Sequence, residues 1–223
     1  MTGARVGVLV FPGSLDDRDM QRSLGLCGAE ATLVWHKDTR LPDGVEGLVV
    51  PGGFSYGDYL RTGAMARFSP IMRAVTEFAG AGRPVLGVCN GFQILCEAGL
   101  LPGALVRNVE LKYVCTDVTV AVEDPGLFRS ELPPGRTLVM PVKHGEGAYV
   151  PDPDHKPRVA FRYVGGSPNG STDDIAGVAN EAGNVVGLMP HPEHATDPLL
   201  GSSDGAHLLR SFLAACVELR GRR

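Results

Sequence analysis

Over the first hundred residues, short runs of uninterrupted apolar side chains alternate with segments whose apolar positions recur every three or four residues. Residues 6–11 form the first run and stop at Pro12-Gly13, after which Asp16 and Asp17 head a helical pattern through Met20, Leu24 and Cys27 to Gly28. Residues 31–35 read as a second strand, and residues 47–50 as a third that enters Pro51-Gly52-Gly53. The stretch 54–68 is loop-like. Pro70 then opens a helix with Ile71, Met72, Val75 and Phe78 on one face, closed by Gly80 and Gly82. Residues 85–88 are a fourth apolar run, and Phe92, Ile94, Leu95 and Ala98 resume the helical period up to Gly99 and Pro102. Strands covered on both faces read as continuous apolar runs, so this alternation predicts an α/β fold with a parallel sheet.

Past Pro102 the period moves toward two. Val109, Leu111, Tyr113, Cys115, Val118, Val120 and Val122 fall on alternating positions within 106–122, predicting a mixed or antiparallel extension of the sheet. Segments 138–142, 159–163 and 175–179 are further strands, with 165–171, rich in Gly, Ser, Pro and Asn, expected as an exposed loop. Residues 185–189 lead into Pro190-His191-Pro192-Glu193, and 206–219 close the chain as an amphipathic helix. No linker or repeat interrupts the pattern, so one domain over residues 1–223 is expected.

Composition narrows the class of protein without naming it. The 223 residues are 43% hydrophobic, enough for a full core. The formal net charge is −4 and the basic residues are scattered, which argues against a nucleic-acid partner. The N-terminus enters its first strand with no charged-then-apolar leader, and no apolar run approaches spanning length, so a cytoplasmic location is expected. Five cysteines, Cys27, Cys89, Cys96, Cys115 and Cys216, contain no Cys-x-x-Cys pair, so neither a disulfide framework nor a zinc ribbon is indicated.

The chemistry concentrates where the fourth strand meets its helix. Gly87-Val88-Cys89-Asn90-Gly91 puts a cysteine on a turn whose flanking glycines allow a sharp reversal, the mechanics of a nucleophile elbow. A thiol there lies beside a helix N-terminus, whose partial positive charge favours thiolate. A lone strand-end cysteine is ordinarily core, as Cys96 two helical turns later reads, so the assignment needs partners. His191-Pro192-Glu193 supplies them, because Pro192 stiffens a turn that presents imidazole and carboxylate together. A cysteine nucleophile needs a base and the base needs an orienting group, and Cys89, His191 and Glu193 can fill those roles. His191 with His194 also has the spacing of a metal pair, but no Cys/His cluster completes a site, so no metal is expected. Pro51-Gly52-Gly53 is by itself an ordinary turn; beside an elbow its free amides make an oxyanion hole.

Taken in order, Pro51-Gly52-Gly53, Gly87-Val88-Cys89-Asn90-Gly91-Phe92-Gln93 and His191-Pro192-Glu193 resemble the class I (triad) glutamine amidotransferases. Within that class, Phe54-Ser55-Tyr56-Gly57-Asp58-Tyr59-Leu60-Arg61, the Asn90-Gly91-Phe92 elbow and His144-Gly145-Glu146-Gly147 are similar to the glutaminase subunits of phosphoribosylformylglycinamidine synthases. The resemblance implies a flavodoxin-like sheet, oxyanion amides from Gly53 and Asn90, and Gln93 near the bound glutamine. It also implies a large ATP-dependent synthetase subunit and a small bridging subunit as partners, with ATP and magnesium on the synthetase and no cofactor in this chain. No Gly-x-x-x-x-Gly-Lys-Ser/Thr loop is present here, so the nucleotide is expected elsewhere. One departure stands out: after Phe11-Pro12-Gly13-Ser14 the family usually has Asn-Cys, and this chain has Leu15-Asp16. Rival readings are the glutaminase subunit of another amidotransferase, a cysteine hydrolase or chaperone of the related peptidase-like family, and a non-catalytic scaffold. The peptidase-like family commonly follows its cysteine with histidine, where Asn90 stands here, and a scaffold would be marked by a missing triad member.

Overall fold

The computed structural model describes residues 3–220. Strand β1 (Arg5–Val10) feeds helix α1 (Asp17–Leu26), then come β2 (Glu30–Trp35), β3 (Gly47–Val50), α2 (Ile71–Gly80), β4 (Val85–Val88) and α3 (Asn90–Glu97). The apolar runs became these strands because they are covered from both sides, and every residue of β3 and β4 is buried. The rest of the chain adds β5 (Ala104–Val106), β6 (Val114–Val122), β7 (Thr137–His144), β8 (Ala148–Val150), β9 (Arg158–Tyr163), β10 (Ile175–Ala179), β11 (Val185–Leu188) and α4 (Gly205–Arg220).

Nine strands form one sheet in the order β2-β1-β3-β4-β11-β10-β9-β6-β7. The five from β2 to β11 pair in parallel, and β10, β9, β6 and β7 continue the sheet antiparallel. The parallel half has the flavodoxin-like order, in which the crevice outside the carboxyl ends of the strands, where the order reverses between β1 and β3, is the expected ligand position. A Cβ on Gly187 would strike Phe92, and one on Gly47 would strike Cys216 and Phe212, so α3 and α4 lie tight against the sheet. The register places those two glycines on opposite faces, with one helix over each.

The structure corrects the sequence reading in the antiparallel half. Residues 107–113 are not strand, and Val109, Leu111 and Tyr113 are exposed. The Asn108 side chain replaces the ladder there: its amide donates to the Lys112 and His144 carbonyls, and its oxygen accepts from Gly147 N–H. The short strand β8, which pairs with β5 in a separate two-stranded sheet, was not anticipated. The 165–171 segment is exposed at Gly165, Gly166 and Gly170 but not throughout. Asn169 and Ser171 turn inward, where Asn169 donates to the Gly147 carbonyl and Ser171 Oγ accepts from Tyr149 N–H. The 54–68 loop contains two single-turn 3₁₀ segments, Ser55–Asp58 and Ala66–Phe68.

Candidate active site

Four loops leave the carboxyl ends of β1, β3, β4 and β11 and meet over one cavity of about 230 Å³ lined by Asp16, Gly53, Cys89, Gln93, Lys143 and His191, among others. The loops after β1 and β3 are bonded to each other. Leu15 N–H and Asp16 N–H both donate to the Gly52 carbonyl at 3.2 Å, and Phe54 N–H donates to Gly13 O at 2.9 Å.

Cys89 sits between β4 and α3 with φ 50° and ψ −108°, a conformation an L-residue holds only under constraint. The constraint is visible: Cys89 N–H donates to Leu188 O, and Cys89 O accepts from Gln93 N–H as α3 begins. A Cβ on Gly91 would lie 1.8 Å from Val50 O, so only glycine lets α3 start this close to β3. The thiol is buried, with Sγ 3.8 Å from Lys143 O.

His191 and Glu193 come from the turn after β11, whose position is set by His191 N–H donating to Pro141 O at 2.8 Å and Ser23 Oγ donating to Glu193 O at 2.8 Å. His191 Nδ1 and Glu193 Oε1 are 2.6 Å apart, both side chains out of solvent. Nδ1 facing a carboxylate leaves Nε2 with no hydrogen-bond partner among the described residues, available to serve Cys89. Burial opposes charge on His191, yet Glu193 and Cys89 outweigh it and raise its pKa. Burial likewise opposes ionisation of Glu193, and the His191 charge overrides it and holds the carboxyl below its usual range. The pair is a built ion pair, and a thiol beside it has both a proton acceptor and an orienter for that acceptor.

Gly53 adopts φ +150° and its N–H makes no hydrogen bond with the described residues. Asn90 is the first residue of α3, whose N–H has no intrahelical partner. The Asn90 side chain stitches the site, accepting from Ser55 N–H at 3.1 Å and donating to Gln93 Oε1 at 2.9 Å. Gln93 lines the cavity, and the other end of its amide donates to the Glu146 carbonyl.

Several cavity residues had no assigned role in the sequence reading. Asp16 is 3% exposed, 2.5 Å from Lys143 Nζ and 3.6 Å from His191 Nδ1. His144 is buried against Asn108 and Asn169; burial and the neighbouring His191 charge push its pKa down to about 4, leaving it neutral. Asp58 is pushed up to about 6 by burial and by Glu146. His144, Glu146 and Asp58 stood inside motifs already singled out, and Asp16 stood at a helix start and in the Leu15-Asp16 departure; nothing in the sequence paired Asp16 with Lys143, because they meet only through the tertiary fold. Asp16, His191, Glu193 and His194 also bring one ligand-capable atom each within 4.8 Å. Their charges are already engaged, Asp16 by Lys143 and Glu193 by His191.

A cysteine elbow, a histidine-carboxylate pair and a glycine turn on a flavodoxin-like sheet define the triad glutamine amidotransferase class. Comparison with known proteins agrees: the family model for CobB/CobQ-like glutamine amidotransferase domains matches residues 3–204. Phosphoribosylformylglycinamidine synthase subunit PurQ of Frankia casuarinae is 54% identical, over 96% of this chain and 95% of its own length. The PurQ subunit of Streptomyces avermitilis is 52% identical, over 96% of this chain and 99% of its own. A chain of the PurLQS structure from Thermotoga maritima superposes with a TM-score of 0.90 at 43% identity, covering 95% of this chain and 98% of that one. The chain belongs to the glutamine amidotransferase family and, within it, to that of the phosphoribosylformylglycinamidine synthase PurQ subunits.

Proposed function

We propose that this chain, as one glutaminase domain over 1–223, is the glutaminase subunit of a phosphoribosylformylglycinamidine synthase. It hydrolyses glutamine to glutamate and ammonia, and the ammonia serves the ATP-dependent conversion of formylglycinamide ribonucleotide to formylglycinamidine ribonucleotide in purine biosynthesis. The observation that carries the reading is the buried His191–Glu193 pair, 2.6 Å apart, set against an elbow cysteine in a chain 54% identical to a PurQ subunit.

In this reading Cys89 Sγ attacks the side-chain carbonyl carbon of glutamine, and the amides of Gly53 and Asn90 receive the developing oxyanion. His191 Nε2, carrying the thiol proton, gives it to the leaving nitrogen; the C–N bond breaks, ammonia departs and a γ-glutamyl thioester remains. Water then attacks the thioester while His191 takes its proton, and the C–S bond breaks to return the thiol and release glutamate. Glu193 holds the imidazole tautomer and stabilises the imidazolium. Gln93 fixes the glutamine-facing wall through its bonds to Asn90 and Glu146.

The ammonia acceptor, ATP and magnesium belong to a large synthetase subunit, joined with a small bridging subunit in a cytoplasmic complex. Among the described residues no helix is long and apolar enough to cross a membrane. The loop beside the cavity leaves Phe54, Tyr59, Leu60 and Phe68 exposed, a rim on which a partner can dock. That loop also holds Tyr56, Asp58 and Leu60 at positive φ, a strained conformation that a partner would tighten. The isolated subunit is accordingly a poor glutaminase that docking switches on. The test is glutamate release at saturating glutamine, with and without the synthetase, bridging subunit, ATP and ribonucleotide. Release that depends on the partner is expected; an isolated chain already turning over at the rate of the complex excludes partner activation, and no release in the full complex refutes the function.

A further inference from the structure

Leu15 and Asp16, in the loop after β1, lie in the wall of the cavity that holds Cys89 and His191. The Asp16 carboxylate is 4% exposed and faces three charged or titratable groups. Oδ1 takes the Lys143 ammonium at 2.5 Å and lies 3.7 Å from His194 Nε2; Oδ2 lies 3.6 Å from His191 Nδ1, on the side where Glu193 already sits. The backbone of the same residue donates to Gly52 O, in the turn that carries Gly53. A Cβ on Gly52 would fall 2.3 Å from Asp16 Oδ2 and 2.8 Å from His191 Cε1, so carboxylate, glycine turn and imidazole are in mutual contact.

Lys143 is equally constrained. Its carbonyl is 3.8 Å from Cys89 Sγ, and two residues before it Pro141 O holds the His191 backbone. A single ion pair therefore ties the loop after β1 to the end of β7 and reaches the glycine turn, the thiol and the histidine from one side. Its opposite charges are unequally placed: the carboxylate contacts the imidazole, and the ammonium contacts the carboxylate.

We infer that Asp16 is a positioning residue for glutamine hydrolysis: held by Lys143, it acts through His191 as a second carboxylate that fixes the imidazole and favours its protonated form. The inference rests on the function proposed above. The charged and titratable groups facing His191 are Glu193 and His194 from its own turn, Asp16 from the loop after β1, Cys89 from the elbow, and Lys143 and His144 from β7. Glu193 supplies the direct bond, and Asp16 supplies charge and register. Asp16 is the one carboxylate of this set that comes from outside the histidine's own turn, so its hold on the imidazole depends on the loop after β1.

The test uses Asp16→Asn, which keeps shape and removes charge, and Lys143→Met, which leaves the carboxylate without its partner. Two readouts are taken: the pH profile of glutamate release by the assembled complex, and a histidine-ring NMR titration of His191 in the chain itself. For Asp16→Asn, kcat falls about tenfold with KM within about twofold, and the midpoint of His191 deprotonation moves down by at least about one pH unit, the effect a unit charge at this separation has even with the screening of bulk water. For Lys143→Met the midpoint moves up, because the anion beside His191 is no longer neutralised. Opposite shifts are the signature, since loosening of the loop would move both variants the same way. Unmoved midpoints, or midpoints moving together, overturn the inference even if kcat falls. If the wild-type complex releases no glutamate, the proposed function fails on its own, and the NMR titration still decides the role of Asp16.

Discussion

Replacing Gly53 by alanine tests whether the turn after β3 supplies an oxyanion donor. The new Cβ would stand 2.7 Å from Gly13 O and 2.8 Å from both Leu15 N and Ser14 Cα, all backbone atoms of the loop after β1. Ordinary contact begins near 3.4 Å, so moving from 2.7 to 3.4 Å requires the two loops to part by about 0.7 Å. At φ +150° alanine is strained regardless of space, which adds a backbone rotation. Since a 1 Å misplacement in an active site can cost about 10²-fold, and loss of one oxyanion donor about 10²–10³ in rate, kcat should fall about 10²-fold. The loss belongs to the transition state, so KM should change little. The assay is glutamate release in the reconstituted complex, with Cys89 alkylation confirming a folded site. A folded Gly53→Ala variant retaining kcat within about twofold would refute the reasoning.

Other perturbations report on the scaffold. Gly91→Ala puts a Cβ 1.8 Å from Val50 O, so α3 must lift from β3 and carry Cys89 with it; thermal melting should show the loss, and an unchanged Tm would contradict the packing described. Glu131 is pinned by a two-point contact from Arg210, 2.8 Å at each oxygen, and by His207; Arg210 chiefly holds its carboxyl down at about 2, against the effect of burial. A carboxyl depressed in the folded state contributes stability above its unfolded value, so this contribution is lost as pH falls from about 4.5 toward 2. Glu131→Gln should flatten the acid limb of the Tm profile over that window, and an unchanged limb would dismiss the pair as a stabilising contact.

The parallel half of the fold was legible because strands covered by helices on both faces have no polar positions to blur them: residues 47–50 and 85–88 were read with the boundaries the structure has. The antiparallel half was harder. Val109, Leu111 and Tyr113 kept the alternation of a strand while lying exposed on a loop held by Asn108, a side chain whose bonds reach residues up to 39 positions away. The site divides in the same way. Cys89, Gly53 and His191-Pro192-Glu193 announce themselves because a sharp turn after a strand requires glycine or proline nearby. Asp16 and Lys143 are 127 positions apart, and no local pattern links them; only the registration of β7 against the loop after β1 brings them to 2.5 Å. The departure at Leu15-Asp16 was visible in the sequence, but its contact with His191 was not.

The central claim is that Cys89 forms a γ-glutamyl thioester. Burial pushes the thiols of Cys96 and Cys216 far up, so neither should compete as a nucleophile. The assembled complex, quenched in acid during steady-state turnover with glutamine and digested, should yield a peptide containing Cys89 heavier by one γ-glutamyl group, absent from a Cys89→Ser control. Continued glutamate release by that control, or the adduct on any other residue, would contradict the account.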